Sequence, residues 1–152
     1  MDTRAEELPE VLPGIIGRNN AMQEMAERVR KTARTNATVI ILGDTGTGKE
    51  RVALALHELG ARVRKPFIPV NCGAIPEGLI ESELFGHERG SFTGAVARKI
   101  GQWEMADGGT LFLDEVGELS LLTQSKILRA IQEKNIFRVG GMGVIPVHVR
   151  LI

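Results

Sequence analysis

Apolar positions recur at three-and-four spacing in one stretch, run without interruption in the next, and then repeat the alternation. Met22, Met25, Ala26, Val29 and Ala33 share one face, which predicts a helix over 21–34 with Asn20 able to cap its start. Val39, Ile40, Ile41 and Leu42 form a continuous β-branched run, the pattern of a strand over 38–42 lying inside a parallel sheet and covered on both faces. Further helices are predicted over 49–59, 77–85 and 121–133, and further strands over 67–71, 110–113 and 147–152. Ser120 stands at the cap position of the last helix, with Leu128 and Ile131 placed on its inward face. A glycine-punctuated stretch runs to Gly101, and turns surround Gly140 to Gly143. Helix and strand alternating in this way predict an α/β domain with a mostly parallel sheet covered on both faces, preceded by a polar leader over 1–12.

Composition narrows the classes. The chain has 152 residues, and nineteen Lys plus Arg balance nineteen Asp plus Glu, so no global basic field exists to gather nucleic acid or an anionic membrane. No apolar run approaches the ~20 residues of a membrane span, and the start at Met1 opens no signal peptide, so the expected location is the cytoplasm. A single cysteine, Cys72, excludes an internal disulfide and reads as a small buried residue beside Asn71. His57, His87 and His148 are too scattered to suggest a metal site, and Trp103 reads as packing. Lys31, Arg34, Arg62, Arg64 and Lys65 read as solvated charges or as part of a subunit interface.

Chemistry concentrates in three places. Directly after the first strand comes Gly43-Asp44-Thr45-Gly46-Thr47-Gly48-Lys49-Glu50. Glycines leave the backbone amides open to a polyphosphate, the following helix directs its positive end at it, and the Lys49 ammonium can reach the outer phosphates. Glu50 stands where a hydroxyl commonly touches magnesium, which argues against a small-molecule kinase or a GTPase. The second is Gly108-Gly109-Thr110-Leu111-Phe112-Leu113-Asp114-Glu115, a buried strand that lifts two carboxylates to the edge where a phosphate loop opens. Asp114 is the candidate magnesium residue and Glu115 the candidate general base. The third is Gly90-Ser91-Phe92-Thr93-Gly94-Ala95, which reads either as a mobile tip offering Phe92 to a partner or as a turn whose Phe folds inward.

These stretches together resemble the N-terminal part of the AAA+ ATPase domain of bacterial sigma-54-dependent transcription activators, over about Leu12 to Ile152. Residues 90–95 match that family's GAFTGA signature except for Ser91 in place of alanine, and the family's phosphate loop also ends in Lys-Glu. Val70-Asn71-Cys72-Gly73-Ala74, Ser82-Glu83-Leu84-Phe85-Gly86-His87-Glu88 and Phe137-Arg138-Val139-Gly140-Gly141 match as well. The resemblance implies a P-loop NTPase three-layer sandwich with strand order 2-3-4-1-5, incomplete at its C-terminal end, with the unpaired edge of the first strand prone to aggregation. It implies ATP and Mg2+ as cofactors and a homo-oligomeric, hexameric ring that moves the loop around Phe92 against the sigma-54 RNA polymerase holoenzyme. By the same likeness Asn71 restrains Glu115, Arg138 to Gly143 form a second moving loop, and Ile16 and Gly17 lie against adenine. A helical lid, sensors, arginine fingers and a DNA-binding domain are expected beyond Ile152, so DNA contact would come only through that absent part. Two alternatives stay open: a module that binds nucleotide or sigma-54 without turnover, and, more weakly, a small P-loop kinase.

Overall fold

The computed structural model describes residues 9–152. A short hairpin, β1 (Glu10–Leu12) and β2 (Ile15–Ile16), leads into α1 (Asn20–Ala33) and α2 (Lys49–Glu58). Then come β3 (Phe67–Asn71), α3 (Glu77–Phe85), α4 (Gln102–Met105) and β4 (Thr110–Asp114). The chain closes with α5 (Leu121–Glu133), β5 (Asn135–Ile136), β6 (Ile145–Pro146) and β7 (Arg150–Leu151).

The central sheet has the order β3-β4-β7 and is parallel throughout, with Asn71 opposite Asp114 and Thr110 opposite Arg150. β4 has no polar face, because its side chains serve two cores. Leu111 and Leu113 pack with Leu84 and Phe85 of α3, Trp103 of α4 and Ile127 and Ala130 of α5. Phe112 packs on the other side with Ala26, Val29 and Ala33 of α1 and Ala53 and Leu56 of α2. This is the expected three-layer α/β arrangement.

Several expectations differ in detail. Asn19, rather than Asn20, caps α1, its Oδ1 accepting from the Met22 N–H at 2.8 Å. Residues 38–42 follow β7 through Val39 N–H to Leu151 O (3.1 Å) but form no regular strand, and Ile40 and Leu42 are 74% and 84% exposed rather than covered. Strand geometry there has one bonded neighbour among the described residues, and a single backbone bond does not fix a ladder. On α5 the buried face is Thr123, Ile127 and Ala130, while Leu128 is 54% exposed. The last strand is shorter than 147–152, since Ile145–Pro146 turn back antiparallel against β5 before the chain joins the sheet. The end of the expected leader belongs to the packed body, with Val11 and Leu12 buried against α1, while residues 1–8 lie outside the described residues. No helix among the described residues is long and apolar enough to cross a membrane.

Two arginines tie the layers together. Arg62, expected in solvent, donates from Nη1 to Gly109 O and His148 O at 2.7 Å each. Arg150 is buried and holds the ends of two helices, donating to Thr32 O (2.9 Å), Ala33 O (3.3 Å) and Leu56 O (3.3 Å). Carbonyls at helix C-termini carry partial negative charge, so they accept a guanidinium without a carboxylate. A Cβ at Gly60 would stand 2.9 Å from Ala33 O and 3.0 Å from Leu56 O, so this joint admits only glycine.

His57, buried on α2, has Nδ1 2.9 Å from Thr110 Oγ1, and burial holds its imidazole below the usual value of 6.5. The unfolded chain therefore takes up a proton near pH 6.5 that the folded one refuses, so the contribution of His57 is complete above that pH and declines as pH falls below it. Urea midpoints should drop between pH 7.5 and pH 5, and His57→Gln should flatten that part of the slope, by about 1.4 kcal/mol for each unit of depression.

Candidate functional site

The phosphate loop and the end of β4 open into one cavity. Gly43, Thr45, Lys49, Asp114 and Glu115 line the same space of about 470 Å³. The loop conformation follows from its glycines: Gly46 and Gly48 have φ of +81° and +87°, backbone that a side chain strains, and a Cβ at either would meet nothing within 4 Å. Glycine is needed there for conformation and leaves the approach open. Gly43 is needed for space, since a Cβ would lie 2.9 Å from Thr47 Oγ1. That hydroxyl closes the turn by donating to Asp44 O at 2.7 Å. Lys49 begins α2, and its Nζ donates to Gly43 O (2.9 Å) and Asp44 O (2.8 Å), so the ammonium is stationed over the loop by two neutral carbonyls. Glu50 is exposed in the first turn of α2, where an acidic side chain complements the helix dipole.

At the opposite wall, β4 ends with Asp114, whose Oδ1 accepts from the Glu115 N–H at 2.9 Å. Glu115 has φ of +56°, a left-handed conformation in which the chain turns sharply off the strand. Its carboxylate reaches across to the end of β3, and a Cβ at Gly73 would collide with Oε2 of Glu115. Gly73 also donates its N–H to Asn71 Oδ1 at 3.0 Å. Asn71, Gly73 and Glu115 therefore gather at one edge of the sheet, and Gly73, which the sequence offered only as part of the matching stretch 70–74, lies between the other two. Its signal was present, a glycine two residues after an asparagine in the pattern of an Asx turn. Burial, followed by the charges of Asp114 and Glu115, pushes the Cys72 thiol up to about 11, which leaves it protonated and unreactive at neutral pH.

The expected adenine contacts are not brought into this cavity. Ile16 and Gly17 lie on the β1–β2 hairpin, Ile16 is 59% exposed, and neither residue lines the space between Lys49 and Asp114. The hairpin does approach the P-loop helix, since a Cβ at Gly14 would stand 3.2 Å from Arg51 Nη1.

The residues suit ATP and magnesium as far as the donor set goes: open amides, one ammonium, and one carboxylate that would share the ion with phosphate oxygens and water. Among the described residues, no group of three or more His, Cys, Asp or Glu could hold a metal by itself.

Residues 90–95 form a tight loop away from that cavity, bonded from Gly90 N–H to Ala95 O (2.7 Å) and from Ala95 N–H to Phe92 O (3.0 Å). Gly90 and Gly94 take φ of +77° and +101°, Thr93 is exposed, and Ala95 is buried. Phe92 leans on the body of the protein, its ring edge-on to His87 at 4.9 Å and 74°, yet it stays 38% exposed. His87 is held in turn by Ser82, with Oγ 2.6 Å from Nδ1. The loop around Arg138 lies alongside, with Arg138 bonded to Glu88 at 3.0 Å and to Glu104 at 3.0 and 2.7 Å.

Comparison with known proteins agrees with this geometry. Residues 15–152 match the family described as the sigma-54 interaction domain. The Nif-specific regulatory protein of Rhizobium etli is 54% identical over 144 residues, covering 95% of this chain and 25% of that protein. The transcriptional regulatory protein ZraR of Escherichia coli is 52% identical over 139 residues, covering 91% of this chain and 32% of that protein. The crystal structure of NtrX from Brucella abortus superposes with a TM-score of 0.83 at 39% identity, over 90% of this chain and 30% of NtrX. NtrX has also been solved in complex with ADP and in complex with ATP. The chain thus spans about a quarter to a third of the length of these relatives. The P-loop NTPase fold, the phosphate loop facing two carboxylates and a family match running from Ile15 to the last residue lead to one assignment: this chain belongs to the sigma-54 interaction domain family.

Proposed function

We propose that this chain is the nucleotide-binding part of a sigma-54-dependent transcription activator, which binds ATP with magnesium and, within a larger ring-forming protein, hydrolyses it to remodel the polymerase closed complex. One observation carries the reading: Gly43 to Lys49 and Asp114 to Glu115 face one another across one cavity. The α2 amides and Lys49 bind and orient the phosphates, exchanging two carbonyl contacts for stronger charge-assisted ones. Asp114 would hold the magnesium ion, which neutralises phosphate charge. Glu115 accepts the proton of the attacking water. With Oε2 against Gly73, whose N–H donates to Asn71 Oδ1, the carboxylate is turned toward β3, which supports Asn71 as the residue restraining the base.

The loop of Gly90, Ser91, Phe92, Thr93, Gly94 and Ala95 is the proposed sigma-54 contact. The NtrX complexes with ADP and ATP support nucleotide binding, and the sigma-54 interaction domain match supports the partner. A hexameric assembly and a cytoplasmic location follow from the same reading.

Calorimetry should show ATP affinity falling about ten- to a hundredfold in Lys49→Ala, the loss of one charge-assisted contact; unchanged binding would remove the phosphate-loop assignment. In the complete protein, Glu115→Ala should keep nucleotide binding while phosphate release falls by roughly 10²–10⁴. Equal turnover in wild type and variant would assign the base elsewhere. Phe92→Ala should spare both binding and turnover and lose capture of sigma-54 in a pull-down, and retained capture would exclude the loop as the contact.

A further inference from the structure

Ser91 sits where two loops press together. Glu88 N–H donates to Val139 O (3.0 Å), Val139 N–H donates to Gly86 O (2.9 Å), and Arg138 Nη1 donates to Glu88 Oε1 (3.0 Å), so the segment leading into the tip is stitched to the second loop. At the centre of this contact Gly140 has φ of +73°, and a Cβ there would lie 2.5 Å from Ser91 Cβ and 3.3 Å from Ser91 Cα. The backbone of the second loop therefore rests directly on the Ser91 side chain. The same contact seals the Ser91 hydroxyl, whose Oγ is buried and has no hydrogen-bond partner among the described residues. A hydroxyl in that situation has lost its water and gained nothing in return, so it opposes the arrangement that buries it.

We propose that Ser91 is a positioning residue for the tip loop: its stranded hydroxyl destabilises the docked arrangement, in which Phe92 lies on His87, relative to an undocked one that frees Phe92 for its partner. Undocking exposes the hydroxyl to water, so the penalty applies to one state only, and only such a difference shifts a population. The Cβ of the same residue acts oppositely, because it makes the contact with Gly140 that holds the loops together. One side chain thus carries both a contact favouring docking and a polar atom opposing it. That the freed Phe92 meets sigma-54 rests on the proposed function; the docking equilibrium itself does not.

Amide hydrogen exchange on the chain separates these terms. Ser91→Ala keeps the Cβ and removes the hydroxyl, and should slow exchange at Glu88, Gly90 and Ala95 by about tenfold, the equivalent of one stranded hydroxyl. Ser91→Gly removes both and should speed exchange at the same amides. The Leu113 amide, bonded to Ile152 O inside the sheet, should change by less than about twofold in either variant, which separates loop docking from global stability. Unchanged or faster loop exchange in Ser91→Ala overturns the proposal. A parallel pull-down should show Ser91→Ala capturing less sigma-54 than wild type. Should wild type itself capture none, the partner reading falls, and the exchange rates still decide the docking equilibrium.

Discussion

A strand with no face toward water is the constraint on which the site depends. Thr110 to Leu113 are all buried, with Leu111 and Leu113 filling one core and Phe112 the other. Such a strand accepts a carboxylate only at its end, where desolvation stops, and Asp114 is its last residue. Parallel pairing with β3 and β7 points all three strands the same way, so Asn71 and Asp114 reach one edge in register. Residues 38–42 run beside β7 before the chain turns through the phosphate loop, so Gly43 to Lys49 open at that edge too. Burial of β4 on both faces is what brings an ammonium and two carboxylates around one cavity.

The helix that carries Lys49 needs an anchor at its other end, and Arg150 provides it. A buried guanidinium without a carboxylate would be costly, and burial does lower its proton affinity. The carbonyls at the ends of α1 and α2 satisfy three of its bonds, which pins both helices to β7. Gly60 lets the chain leave α2 without filling that joint. The distance from sheet to phosphate loop is thereby set from both ends of α2, by the loop glycines at the start and by a charge at the finish.

Much of this was legible in the chain, and the gaps share a cause. β3, α3 and α5 lie where local periodicity places them, and Ser120 caps α5, accepting from the Thr123 N–H at 3.2 Å, because helix and strand signals are written within a few residues. The P-loop and the Asp114-Glu115 pair were legible for the same reason. Residues 38–42 have strand composition without strand geometry, since pairing depends on what lies beside a segment. Arg62 and Arg150 look alike as letters, and only the tertiary structure shows one closing two backbone turns and the other joining two helices. Leu128 illustrates the same limit, because helical phase leaves the choice between neighbouring faces to what the helix meets, and here Ile127 is the one that turns inward.

The contact of Phe92 with His87 belongs to that same class, and it lies one helix away from the end of β3. Asn71 ends β3, a single turn over Cys72–Ala74 follows, and α3 then runs to Phe85 and Gly86, where the segment carrying the tip loop begins. α3 is buried through Ile80, Leu84 and Phe85, and Glu81 ties it to Lys126 of α5 at 2.6 Å. A packed helix moves as a unit because its core admits few alternative arrangements. α3 thus lies between the turn that carries Gly73, against which the Glu115 carboxylate is placed, and His87, to which Ser82 of that helix is bonded. What differs between the ends is the kind of contact. At the β3 end a carboxylate lies against Gly73, while at the loop end an aromatic edge and a few backbone bonds hold the loop, and the Ser91 hydroxyl has no partner among the described residues. The loop has no core of its own, so its place is decided by these local contacts, whereas α3 is fixed by the core it shares with β4 and α5.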